Sequence, residues 1–220
     1  MKSHRIFIAV NLPAPIKKKL LEFQRQWADL PVRWTKEPSL HITLVFIGYV
    51  DNEEMLEICQ LARQAVKENQ LFEIKLKRIC LGPPGRPARL IWIEGEENLA
   101  LTQLKNNLEE ALLNSTTSSY NHQETRHFRV HITLARIRQE EWRRLPNKPK
   151  IDQEVSLSFP VESIEVMESR LLKDGAEYII LESIPLEASF GEDIPDETVS
   201  SEVEEVPVVE KPAVIEKIVE

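Results

Sequence analysis

The sequence predicts an α+β fold of two pseudo-symmetric lobes. Each lobe is a mostly antiparallel sheet with helices outside, and a central cleft carries two strands of His-x-Thr-x pattern. Three observations predict it. Apolar, β-branched runs alternate with amphipathic stretches in the order β-α-β-β-α-β-β-α-β-α-β-β-β. Short turns join many neighbouring strands, so hairpin pairing dominates over parallel crossovers. The tetrapeptide His-Ile-Thr-Leu occurs twice, at 41–44 and 131–134, each time inside a strand-like run and once in each half of the pattern.

The elements follow in order. Residues 5–11, Arg-Ile-Phe-Ile-Ala-Val-Asn, form the opening strand. Pro13 and Pro15 start a helix, because proline's fixed φ suits a first helical turn. Ile16, Leu20, Phe23 and Trp27 give it a core face as far as about Asp29. Residues 32–34 make a short strand before the turn at 36–39. The first histidine run, 41–47, is ended by Gly48, and Asp51 or Asn52 caps a second helix that reaches about Asn69. Residues 71–81 alternate Phe72, Ile74 and Leu76 with charged residues, the mark of a half-exposed strand. A Gly- and Pro-rich turn at 82–88 brings residues 89–93 back as its hairpin partner. A third helix fits 98–113, and a polar loop over 114–123 leads to the second histidine run, 130–135. Residues 140–145 form a short helix closed by Pro146 and Pro149. Strands at 154–159, 163–171 and 177–186 complete the pattern, the last two joined by a tight turn at Asp174-Gly175.

Composition sets limits on function. The chain has 220 residues, 42% of them hydrophobic, enough for a sizeable core. Cys59 and Cys80 give no disulfide framework and read as reduced, buried thiols in a cytoplasmic protein. No 18-residue apolar run occurs, and the N-terminus has no long apolar segment, so no membrane association is expected. The formal charge of −8 sits in one place. Residues 188–220 hold ten acidic and two basic side chains; removing these from the totals of 36 and 28 leaves 26 of each. The sequence therefore divides into a neutral domain, 1–187, and an acidic tail, 188–220, whose Pro-, Glu- and Val-rich composition reads as a flexible, solvated extension.

The chemistry lies in the repeated motif. On a strand, residues i and i+2 share a face, so His41 projects with Thr43 and His131 with Thr133, while Ile42, Leu44, Ile132 and Leu134 point into the core. A single histidine on an apolar strand is more often a satisfied core residue; two identical motifs 90 residues apart are a far narrower coincidence. Neither motif carries a third metal ligand at close spacing, nor a Ser or Cys nucleophile beside a base. Two opposed imidazoles suit general acid–base catalysis, one taking a proton from water and the other giving one to a leaving oxygen. Threonine hydroxyls can donate to phosphate oxygens, and Arg136 can grip the same group bidentately. These residues fit phosphodiester transfer or hydrolysis at a small, strained ester. A local charge of +6 between Arg126 and Lys150 suits gripping a phosphate-bearing ligand. Phe7, Trp34, Trp92 and Tyr178 could stack a base, though strand aromatics are usually core, and His122 and His127 read as surface residues.

The paired motif resembles the 2H phosphoesterase superfamily, and more closely its RNA 2′,3′-cyclic phosphodiesterase branch, also called the 2′-5′ RNA ligase or LigT-like family. The likeness extends to the opening 5–10 run, Arg33-Trp34, Phe72-Glu-Ile, Leu90-Ile-Trp92, Arg136, and Glu168-Ser-Arg-Leu with Gly175 and Tyr178. One departure is Val130 where the family often has proline. The resemblance implies hydrolysis of a terminal RNA 2′,3′-cyclic phosphate to a 2′-phosphate without metal or cofactor. It implies His41 as proton donor to the departing 3′ oxygen and His131 as the base that activates water. Thr43, Thr133 and Arg136 then bind the phosphate. Reversible 2′-5′ joining of tRNA halves is a further expectation, as is a monomeric, cytoplasmic protein. Two alternatives stay open: an RNA-end or nucleotide binder without turnover, and an esterase for another small cyclic phosphate.

Overall fold

In the computed structural model the described residues are 3–67, 69–116, 118–121, 127–172 and 175–187. His122, Asp174 and the acidic tail lie outside them. The strands are β1 (His4–Asn11), β2 (Val32–Trp34), β3 (His41–Val50), β4 (Phe72–Gly82), β5 (Leu90–Gly95), β6 (His131–Ile137), β7 (Asp152–Val161), β8 (Ser163–Leu172) and β9 (Gly175–Pro185). The helices are α1 (Ala14–Arg25), α2 (Asn52–Val66), α3 (Leu99–Leu113) and α4 (Gln139–Arg144), with a 3₁₀ turn over Glu37–Ser39. This is the order read from the sequence.

Two sheets result, one ordered β3-β1-β8-β9 and the other β2-β6-β5-β4-β7, with every strand pair antiparallel. Each sheet holds one histidine strand. The lobes are not consecutive halves of the chain, however. Most residues of β1 are buried, so it needs a neighbour on each edge and takes β3 from its own half and β8 from the far end. β2 leaves that lobe altogether and pairs with β6.

Some boundaries differ from the sequence reading. Gly48 does not end β3, which runs on to Val50. Gly48 takes a φ of 110°, a backbone geometry that side chains disfavour, beside a register shift between Ile6 and Phe7 of β1; it is a bulge within the strand. α1 stops at Arg25 rather than near Asp29. Its Ile16 and Leu20 are buried, whereas Phe23 and Trp27 are only half-buried against the core. Asp51 is the N-cap of α2, accepting from the backbone N–H groups of Glu53 and Glu54 at 3.0 Å each. Both cysteines are free, but only Cys59 is buried; Cys80 is half-buried and receives the indole N–H of Trp92 at 3.2 Å.

Ile42, Leu44, Ile132 and Leu134 are all buried, as alternation requires, and join one continuous core with Ile6, Ile8, Ile74, Ile91 and Leu104. That packing holds the opposite, polar faces of β3 and β6 in place. No helix of the described residues is long and apolar enough to cross a membrane.

Candidate active site

Both histidines open onto one cleft of about 550 Å³. All five residues singled out in the sequence line it: His41 and Thr43 from β3, and His131, Thr133 and Arg136 from β6. Period-two alternation explains why each His-x-Thr pair arrives together.

The two rings are held by the same device. Nδ1–H of His41 donates to the carbonyl oxygen of Ser39 at 2.8 Å, and Nδ1–H of His131 donates to that of Arg129 at 2.9 Å. In each case the acceptor is the residue two before the histidine. A carbonyl only accepts, so it fixes the proton on Nδ1 and leaves Nε2 as the working atom. Nε2 of His41 lies 3.0 Å from Oγ1 of Thr43, and the hydroxyl donates to it when the ring is neutral. Aromatic rings steady the imidazoles further. Phe7 and Tyr178 flank His41 at centroid distances of 5.1 and 5.0 Å, and Trp92 sits 4.6 Å from His131. Phe7 and Trp92 are themselves buried, so both act as walls beside a histidine.

Electrostatics differ between the two rings. Burial, above all, pushes His41 down to about 4, helped by the charges of His131, Lys17 and Arg136 and opposed by the Ser39 carbonyl. Burial also lowers His131, opposed by the Arg129 carbonyl and by Glu94, its cross-strand partner on β5. The proton affinity of both imidazoles is thus reduced, and a bound anion would raise it.

Three arginines line the cleft, Arg5, Arg33 and Arg136, with no carboxylate in its wall among the described residues. None of the three is ion-paired among the described residues. Arg5 lies over the Phe46 ring at 4.8 Å. The described part of the basic stretch between Arg126 and Lys150 supplies less of this field than its charge count suggested. Of its described cations only Arg136 lines the cleft, while Arg138 and Arg143 pair with Glu141 and Glu140 along α4. His127 is exposed and 3.2 Å from Glu97.

Sequence reasoning missed Thr35, Ser39 and Phe46 as cleft residues, and met Arg5 and Arg33 only through resemblance. Alternation on β1 places Arg5 and Phe7 on one face, but which face meets the cleft depends on pairing with β3 and β8. A second, smaller hollow of about 60 Å³ continues from the cleft. Arg33, Trp34, Lys36, Arg136 and Tyr178 are among its walls. Among the described residues no three His, Cys, Asp or Glu side chains gather in a set that could hold a metal ion.

A family model described as LigT like Phosphoesterase matches residues 10–92, a span that contains His41 and Thr43. A Methanocaldococcus jannaschii protein named RNA 2′,3′-cyclic phosphodiesterase is 28% identical over 184 residues, covering 80% of this chain and 98% of its own length. The crystal structure of a Thermus thermophilus protein superposes with a TM-score of 0.72 at 24% identity, over 84% of this chain and 99% of that one. Escherichia coli LigT complexed with 3′-AMP superposes with a TM-score of 0.66 at 24% identity, over the same shares. Two His-x-Thr strands, one in each sheet and both facing a single cleft, together with these matches, make the chain similar in sequence and fold to the LigT-like phosphoesterases.

Proposed function

We propose that this protein hydrolyses the terminal 2′,3′-cyclic phosphate of an RNA to a 2′-phosphate, using its two histidines as acid and base and no metal. The observation that carries the reading is the cleft itself. Two imidazoles, each with Nδ1 held by a backbone carbonyl and Nε2 left for proton transfer, that of His41 beside the Thr43 hydroxyl, share it with three arginines that lack carboxylate partners among the described residues. That is a place for an anion that exchanges protons. The name of the Methanocaldococcus relative supports RNA as the substrate, and the 3′-AMP in the E. coli structure supports a nucleotide in this cleft.

In the proposed step, Nε2 of neutral His131 takes a proton from water as the water oxygen attacks phosphorus. The P–O3′ bond breaks, and His41, protonated at Nε2 in the complex, gives its proton to the departing 3′ oxygen. The phosphate stays on O2′. Thr43 and Thr133 donate to its non-bridging oxygens, and Arg136 balances charge that grows in the transition state. The same sequence with an RNA 5′-hydroxyl in place of water is 2′-5′ joining, its reverse restores the cyclic phosphate, and tRNA halves would serve as its substrates. The protein acts as a monomer, and its two free thiols suit a reducing, cytoplasmic setting.

One observation favours the exchanged assignment of acid and base. Glu94 faces His131, whereas the charges acting on His41 are cationic, so in the empty cleft His131 is the better proton holder. The phosphate must therefore raise His41 strongly on binding for the first assignment to operate. The overall reading is tested by incubating the purified protein with EDTA and an RNA ending in a 2′,3′-cyclic phosphate. We expect a 2′-phosphomonoester at an unchanged rate. A 3′-phosphate product, or no product, overturns it.

A further inference from the structure

The side hollow is charged in a way that one cyclic phosphate does not account for. Arg33 and Arg136 are directly opposite each other in the β2–β6 ladder. Like charges in that position repel, with Cβ atoms about 5 Å apart, and neither has a carboxylate partner among the described residues. Lys36 joins them in the wall of the hollow, which contains no acid among the described residues, while Thr35, Ser39 and Tyr178 add hydroxyls. Trp34 also lines it, and its buried indole N–H, which can only donate, has no acceptor among the described residues. A terminal cyclic phosphate is a monoanion, and Arg136, which lines both spaces, suffices for it beside the histidines. Arg33 and Lys36 remain without a counter-charge among the described residues.

We propose that this hollow is a second anion subsite that takes the phosphodiester on the 5′ side of the terminal nucleotide, so that the enzyme reads an RNA chain rather than a lone cyclic nucleotide. In RNA the next anion along the backbone is that phosphodiester, one nucleotide away from the reacting group, and the hollow runs directly out of the cleft. Arg136 stands between the two phosphates, and Arg33 and Lys36 belong to the second. Arg5, the third arginine of the cleft, is stacked on Phe46 and does not line the hollow. The inference rests on the phosphodiesterase reading above and adds to it a preference for length and a reason for two arginines on facing strands.

The test compares three substrates in the wild-type protein: adenosine 2′,3′-cyclic phosphate, the same nucleoside carrying a 5′-phosphate, and the dinucleotide ApA ending in a 2′,3′-cyclic phosphate. We expect kcat/KM to rise at least tenfold from the first to either of the others, mostly through KM. Arg33→Gln should shrink that ratio at least fivefold, and Lys36→Gln should shrink it less. The salt dependence of kcat/KM on the dinucleotide should become shallower by about one charge in either variant. A wild-type ratio near one overturns the subsite. So does Arg33→Gln slowing the nucleoside as much as the dinucleotide, since Arg33 would then serve the reacting phosphate. A gain for the dinucleotide but not for the 5′-phosphorylated nucleoside also overturns it, because the second nucleoside rather than the phosphate would be recognised. Absence of turnover on all three substrates removes the phosphodiesterase reading itself.

Discussion

Glu94 on β5 stands directly across the ladder from His131 on β6, and no carboxylate occupies the matching place beside His41. Two motifs identical in sequence thus sit in unlike fields. The difference gives a way to assign acid and base. In Glu94→Gln the His131 imidazole loses a favourable charge, and its proton affinity falls. If His131 is the base, it must be neutral to work, so the acidic limb of the kcat/KM profile moves to lower pH. If it is the acid, the alkaline limb moves down instead. The macroscopic values belong to the pair, so the limb that shifts more is the informative one. A larger shift of the alkaline limb exchanges the roles proposed for His41 and His131.

Replacing either histidine should remove nearly all turnover. His41→Ala and His131→Ala are each expected to lose about two to four orders of magnitude in kcat. Because the two act in one proton relay, the double variant should lose little more than either single one. Both side chains point into the cleft rather than the core, so circular dichroism should be preserved. His41→Ala with wild-type kcat would remove the mechanism.

Much of this was legible in the sequence because it depends on local periodicity. The order of strands and helices, the inward Ile42, Leu44, Ile132 and Leu134, and the joint projection of His41 with Thr43 all follow from spacing. What spacing could not supply was strand pairing. Arg33 became a neighbour of Arg136, and Glu94 of His131, only because β2 and β5 flank β6, and no local pattern encodes that order. The carbonyls of Ser39 and Arg129 were likewise invisible, since any residue offers one. The basic stretch misled because Arg138 and Arg143 lie on or beside a helix with their own acidic partners, and a charge count carries no direction.

The acidic tail is expected to be dispensable. Leu186 N–H donates to the Glu162 carbonyl at 2.8 Å, and Leu71 N–H donates to that of Glu187 at 3.3 Å, so the domain's own contacts extend through Glu187. Residues 188–220 add the whole formal charge of −8 and a composition poor in core-forming patterns. A chain ending at Glu187 should keep its kcat/KM and melt within about two degrees of the full protein. Loss of solubility, or a drop of several degrees, would show that the Val-rich end packs on the domain.

The depressed proton affinity of His41 also makes a prediction about stability. Above pH 6.5 the ring is neutral in both the folded and unfolded chains, and it contributes no pH dependence. Between 6.5 and about 4 the unfolded chain binds a proton that the folded one resists, so folding stability falls as pH falls through this window. Below about 4 both states hold the proton and the loss is complete. A displacement from 6.5 to about 4 corresponds to roughly 3 kcal/mol at most. Carboxylates titrate in part of the same window, so the quantity to read is the difference between wild type and His41→Asn in denaturant midpoints taken from pH 7 to pH 4. The variant should lose less stability over that range, with the gap opening below pH 6.5 and levelling near 4. Parallel curves would mean that His41 is solvated well enough to protonate freely, and the neutral imidazole proposed for the empty cleft would have to be abandoned.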